Sequence, residues 1–143
     1  MGGPVRSQQR ASGTRIPAMN YWRLAAADPS LLSGAIKKGR WNSTKERELQ
    51  AVRKGDGVVL FSLDKGTQGY LGTATVTRSP YSDDAGLYHI DFKVGFVRSK
   101  ALPTAPVRAL LQQARLRLNY PPLFVVQLSS AEYQVMSRLI QSE

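Results

Sequence analysis

The sequence predicts an α+β fold: a small, strongly bent or barrel-like sheet of about five to six mostly antiparallel strands, flanked by helices. Three observations predict it. Strand patterns in the middle of the chain follow one another with short turns, which implies antiparallel pairing. Residues 88–96 alternate strictly, with Tyr88, Ile90, Phe92, Val94 and Phe96 on one face and His89, Asp91 and Lys93 on the other. Helical spacing is found only before and after this strand-rich centre. A doubly wound sheet does not fit that order.

In chain order, residues 21–26 read as a short buried strand. Asp28, Pro29 and Ser30 then signal a helix start, and Leu31, Leu32, Ala35 and Ile36 fall at helical spacing before Gly39 stops the helix. Arg40 to Thr44 reads as a polar loop or short strand, and Thr44 can cap a second helix with Leu49 and Val52 on its apolar side. Residues 58–63 form a continuous apolar run, a core strand. The glycine-rich stretch at 66–69 reads as a hairpin turn, followed by an alternating strand at 70–76. Pro103 precedes a helix at 104–111, and Pro121 and Pro122 precede a buried strand at 123–128. Ser129 and Glu132 have capping-box spacing, with Val135, Met136, Leu139 and Ile140 on one face of a terminal helix.

The chain has 143 residues, 20 Lys and Arg against 10 Asp and Glu, one His and no Cys. Residues 19–143 suit one domain. Residues 1–18 hold Arg6, Arg10 and Arg15, no acid and almost no large apolar side chain, so they read as a flexible basic arm or as residues foreign to the domain. Without cysteine there is no disulfide, thiolate zinc site or thiol nucleophile, and one histidine precludes multi-histidine metal sites. No apolar run reaches the ~20 residues of a membrane span, and no secretory leader is evident, so a cytoplasmic protein is expected. The net charge of +10 calls for a polyanionic partner, with nucleic acid favoured over a membrane surface.

Catalytic patterns are weak. His89 and Asp91 could form a general-base pair, but a solvated strand face is the simpler reading. Asp83 and Asp84 are adjacent and point apart, and no third acid stands at metal-ligand spacing. The 66–69 stretch lacks the Lys-Ser/Thr ending of a phosphate loop. A non-enzymatic protein without metal or cofactor is expected. Binding patterns are better. Lys37, Lys38, Arg40, Lys45, Arg47, Arg53 and Lys54 crowd around Trp41, Asn42, Ser43 and Thr44. Cations suit phosphates and an exposed ring suits an unstacked base, although Trp41 is equally readable as a core residue. Arg108, Arg115 and Arg117, leading to Tyr120, form a second basic set.

The ordered series Tyr21-Trp22-Arg23-Leu24, Trp41-Asn42-Ser43-Thr44, 54–61 (KGDGVVLF), 70–74 (YLGTA) and 90–94 (IDFKV) resembles EVE and YTH domains, which are PUA-like. The resemblance covers about residues 20–140. YTH domains hold N6-methyladenine of RNA in an aromatic cage, and prokaryotic EVE domains are thought to read modified bases, some within modification-dependent restriction systems. The resemblance therefore implies a reader of a modified cytosine or adenine, flipped out of its strand, in DNA rather than RNA, with a nuclease or motor as partner or fused domain. It sets Trp41 as the ring that stacks on the base, Asn42 and Ser43 at the base edge, and Tyr81 or Tyr88 as a second cage aromatic. Lys37, Lys38, Arg40, Lys45, Arg47, Arg115 and Arg117 would take phosphates. The Lys-Ser of those families is replaced by Ala25-Ala26-Ala27-Asp28, which leaves Ala26 and Ala27 beside the base and Asp28 to accept from an exocyclic amine. The alternative is an RNA-binding domain that reads N6-methyladenine or has no modified-base pocket.

Overall fold

The computed structural model describes residues 19–27, 29–43, 49, 51–64, 68–121 and 123–142. The basic arm at 1–18, Asp28, the phosphate candidates Lys45 and Arg47, most of the helix expected after Thr44, and the first half of the turn expected at 66–69 lie outside these residues. The elements are β1 (Tyr21–Ala26), α1 (Pro29–Lys38), β2 (Arg40–Ser43), β3 (Gly57–Ser62), β4 (Gly69–Ser82), β5 (Tyr88–Leu102), α2 (Thr104–Gln113), β6 (Val125–Leu128) and α3 (Ser130–Ile140). The strands form one open sheet in the order β2-β5-β4-β3-β1-β6. Only β1 and β3 pair in parallel; the other neighbours are antiparallel.

Period-two alternation divides the core between the two faces of this sheet. Trp22, Leu24, Ala26, Val58 and Leu60 pack on one face with Leu32 of α1, Trp41, Leu49 and Val52. Ala25, Val59 and Phe61 face the other way, onto Val107 and Leu111 of α2 and Met136 and Ile140 of α3. That is why β3 reads as a continuous apolar run and β1 as a buried strand: both faces are covered. Each buried Leu, Val or Phe contributes about 1.5–3 kcal/mol.

Caps and turns follow the sequence closely. Gly39 adopts φ 66°, which a side chain would resist, and its carbonyl accepts from Phe92 N–H at 3.0 Å, so the helix end is stitched to β5. Ser129 and Glu132 form the expected capping box. Asp56 is buried before β3 and accepts from Trp22 Nε1, Arg53 N–H and Asn20 N–H.

The hairpin strands are longer than the alternation suggests. β4 runs to Ser82 and β5 to Leu102, because register shifts between Thr73 and Ala74, between Val76 and Arg78, and between Arg78 and Tyr81 break the period without breaking the ladder. The strand expected from 123 starts at Val125, and Leu123 and Phe124 are 53% and 38% exposed rather than buried. His89 is also a correction: its strand face is not solvated there. It is 7% exposed, packed beside the Tyr81 ring at 5.4 Å, with Nε2 2.6 Å from Asp83 Oδ2. The His89 contact, followed by the Leu87 and Ala85 N–H groups, holds the Asp83 carboxyl below its ordinary range. Among the described residues, no helix is long and apolar enough to cross a membrane.

Candidate functional site

A cleft of about 400 Å³ opens between α1, β2 and the end of β1. In a flat sheet, four strand spacings would set β1 and β2 about 19 Å apart. Instead Ala26 and Trp41 share one core cluster and both line the cleft, so the sheet curls around α1. This is the bend that the sequence predicts, and it creates the concavity.

The floor is made of small residues. Ala25 and Ala26 end β1 and Ala27 follows it, and Gly34 and Ala35 form the facing side of α1. A glycine inside a helix costs about 1 kcal/mol relative to alanine. At Gly34 a Cβ would meet nothing within 4 Å, so core packing does not explain the absent side chain. Open space does. Leu31 at the mouth is 60% exposed, and Phe124 and Leu87 add apolar surface from two other segments.

Phe124 is held by design of the surrounding backbone. Its carbonyl accepts from Ala25 N–H at 2.8 Å. Arg23, 4% exposed on β1, donates through Nη2 to Pro121 O at 3.0 Å and Leu123 O at 3.4 Å and lies over the Phe61 ring. Burial pushes the Arg23 guanidinium pKa down, against the Tyr70 and Tyr120 groups that favour its charge. A buried cation thus spends its hydrogen bonds on the segment that delivers Phe124.

The rim is cationic. Lys38 and Arg40 line the cleft, and no carboxylate stands among its described lining residues. Arg40 Nε donates to Asp91 Oδ1 at 3.0 Å. Desolvation would raise the Asp91 pKa, but hydrogen bonds from Tyr81 and Arg40 outweigh it and hold the carboxyl ionised below its usual range. Among the described residues no group of three or more His, Asp or Glu could hold a metal ion.

The structure brings together Trp41, Asn42, Ala26, Ala27, Lys38 and Arg40 at the cleft. Trp41 is at once core and wall: 6% exposed, packed among apolar residues, and bordering the opening. Asn42 is exposed beside it. Ser43 continues β2, registered with Tyr88, and Lys37 is exposed in the last turn of α1. Tyr81 and Tyr88 are not among the lining residues: Tyr81 Oη donates to Asp91, and Tyr88 packs against the α1-side core. Arg115 and Arg117 also stand apart from the lining. Arg115 ends α2 with a φ of 58°, and Arg117 Nε donates to Glu132 at 3.0 Å. Leu31, Gly34, Leu87 and Phe124 were missed by sequence reasoning; the mid-helix glycine was the one available signal.

No protein-family profile matches the chain, and no curated protein sequence matches it. Solved structures do. A hypothetical protein from Leishmania major is similar over 89% of this chain and 98% of its own, at 18% identity and a TM-score of 0.71. The YTH domain of Mmi1 covers 85% of this chain and 95% of its own, at 14% identity and a TM-score of 0.60. Human THYN1, solved in complex with DNA containing 5-methylcytosine, covers 87% and 99%, at 12% identity and a TM-score of 0.60. The fold is PUA-like. The cleft lies where α1 crosses the bent sheet, beside the Trp41 strand.

Proposed function

We propose that this PUA-like domain is an EVE-type reader of nucleic acid that captures one modified base, flipped from its strand, in the cleft beside Trp41. The observation that carries the reading is the pairing of an apolar, small-residue floor with a cationic rim free of carboxylates among its described lining residues. A nucleotide has that polarity: a flat, weakly polar ring joined to an anionic backbone. Unstacking a base costs a few kcal/mol, and aromatic contact returns about 1–3 kcal/mol. Phosphate contacts at Lys38 and Arg40 would add salt-dependent affinity. Burying a methyl group adds only ~0.8 kcal/mol, so discrimination needs close apolar walls such as Leu31, Leu87 and Phe124.

DNA is the preferred strand, supported by the fold likeness to THYN1, which was solved on 5-methylcytosine DNA. The likeness to a YTH domain supports the second reading, an RNA reader of N6-methyladenine. Asn42 and Ser43 would meet the base edge, with Asp28 beside them. Lys37, Lys45 and Arg47 would extend the phosphate track, and a nuclease would act on what the domain finds. The test is an array of duplex and single-stranded DNA and RNA carrying different modified bases at fixed salt. The reading expects a marked preference for one modified strand over its plain counterpart; equal affinity throughout overturns it.

A further inference from the structure

The β4–β5 hairpin carries a second cluster next to the cleft. Asp91 of β5 is registered with Arg40 of β2 on one side and with Arg78 of β4 on the other. Two residues earlier, His89 is registered with Asn42 and Tyr81. Three steps along β4, from Arg78 to Tyr81, therefore match two steps along β5. Strict alternation would put Arg78 and Tyr81 on opposite faces; the extra residue puts them on the same one. The bulge is itself held, since Lys54 N–H donates to Ser79 Oγ at 3.1 Å.

The outcome is a ladder across three strands. Asp91 Oδ1 accepts from Arg40 Nε at 3.0 Å and from Tyr81 Oη at 2.8 Å. The Arg78 guanidinium lies 3.7 Å over the Tyr81 ring, and that of Arg40 lies 5.9 Å from it. One carboxylate thus faces two guanidiniums and is already occupied by Arg40 and Tyr81. Among the described residues, Arg78 forms no ion pair, and it is exposed to solvent. A guanidinium laid on a ring is ordered in advance, yet it keeps its N–H edge for an oxyanion.

We propose that Arg78 and Arg40, set in place by Tyr81 and Asp91, form a phosphate site at the rim of the cleft. It takes the phosphodiester next to the nucleotide captured in the cleft, and in this it rests on the reading of the cleft given above. A phosphate matches two forked, planar donors better than it matches the point charge of lysine. The bulge at Ser79 and Pro80 exists, on this account, to aim Tyr81 beneath Arg78.

The test pairs two measurements on the full chain. First, inorganic phosphate is titrated while the arginine Nε–H resonances are followed by NMR; those of Arg78 and Arg40 are expected to shift together. Second, the salt dependence of oligonucleotide binding is compared for the protein and for Arg78→Gln and Arg78→Lys. Arg78→Gln is expected to lower the slope by about 0.7–0.9, one phosphate, and to weaken modified and plain strands equally. Arg78→Lys keeps the charge and is expected to retain the slope. An unchanged slope in a folded Arg78→Gln protein, with an Arg78 resonance indifferent to phosphate, overturns the proposal. If phosphate moves that resonance while modified and plain strands bind alike, the anion site stands and the base-capture reading fails.

Discussion

Trp22 Nε1 donates to the buried carboxylate of Asp56 at 2.9 Å, joining the start of β1 to the turn that launches β3. The same carboxylate also accepts from the backbone N–H groups of Arg53 and Asn20. β1 and β3 pair in parallel, so no hairpin fixes their register, and this one acceptor ties their entry points together. Asp56→Ala leaves three donors without their acceptor. It is expected to cost about 3 kcal/mol, with Asp56→Asn costing less, in urea unfolding followed by tryptophan fluorescence. Equal stability of Asp56→Ala and the parent would show that water serves those donors as well.

Gly34 separates fold from function. A side chain there meets open space, and any residue other than proline is a better helix former than glycine. Gly34→Ala is expected to gain about 0.5–1 kcal/mol of stability. Gly34→Leu is expected to be folded and at least as stable, yet to lose about tenfold or more in binding of the modified strand, because its side chain occupies the cleft. Thermal melts and binding isotherms on the same preparations check both halves.

Trp41 does not offer such separation. It packs with Leu32, Ile90 and Phe92 in the core, so Trp41→Ala is expected to destabilise by about 3–5 kcal/mol and to remove binding at once. Trp41→Phe keeps a ring in both roles. It is expected to fold with a smaller loss and to retain a measurable preference for the modified strand. A Trp41→Phe protein that folds well and shows no preference would assign the indole itself to recognition.

Glu132 sets the acid limb of stability. Burial pushes its carboxyl up, but hydrogen bonds from Tyr120 Oη, the Ser129 N–H and Arg117 outweigh burial and leave its pKa below the ordinary value of 4.5. A depressed acid stabilises the fold fully above its unfolded pKa, and that contribution disappears as pH falls through the folded value. Glu132→Gln is expected to be less stable than the parent at pH 7 and to converge with it as pH falls through the lowered Glu132 pKa, read as urea midpoints across pH. Parallel curves with a constant gap would contradict this assignment.

Much of the fold was legible because local signals agreed with one another. Gly39 stopped α1, Ser129 and Glu132 capped α3, and the alternation marked β5 from Tyr88 to Val94. Beyond Val94 the alternation expected up to Phe96 does not hold: the register shift opposite Thr73 and Ala74 turns Phe96 to the other core face. The strand ends were not legible. Bulges reset the period in β4, and Pro80 reads as a break although it lies within the strand. His89 was misplaced for a tertiary reason: the Asp83 turn folds back on it, which no strand pattern encodes. At the site, the tryptophan segment and its cations were visible as composition. Leu31, Leu87 and Phe124 were not, because each looks like an ordinary core or turn residue. Phe124 in particular reads as strand, and only the clamp from Arg23 and Ala25 sets it at the cleft.

The most direct measurement is equilibrium binding of matched modified and plain oligonucleotides, in DNA and in RNA, to the parent chain and to Gly34→Leu at one salt concentration. The account predicts a preference of about tenfold or more for one modified strand in the parent, a difference of ~1.4 kcal/mol. It predicts that Gly34→Leu abolishes this preference while keeping the weaker, salt-sensitive binding to plain strands. A parent that binds modified and plain strands equally, or a Gly34→Leu protein that still discriminates, would contradict it.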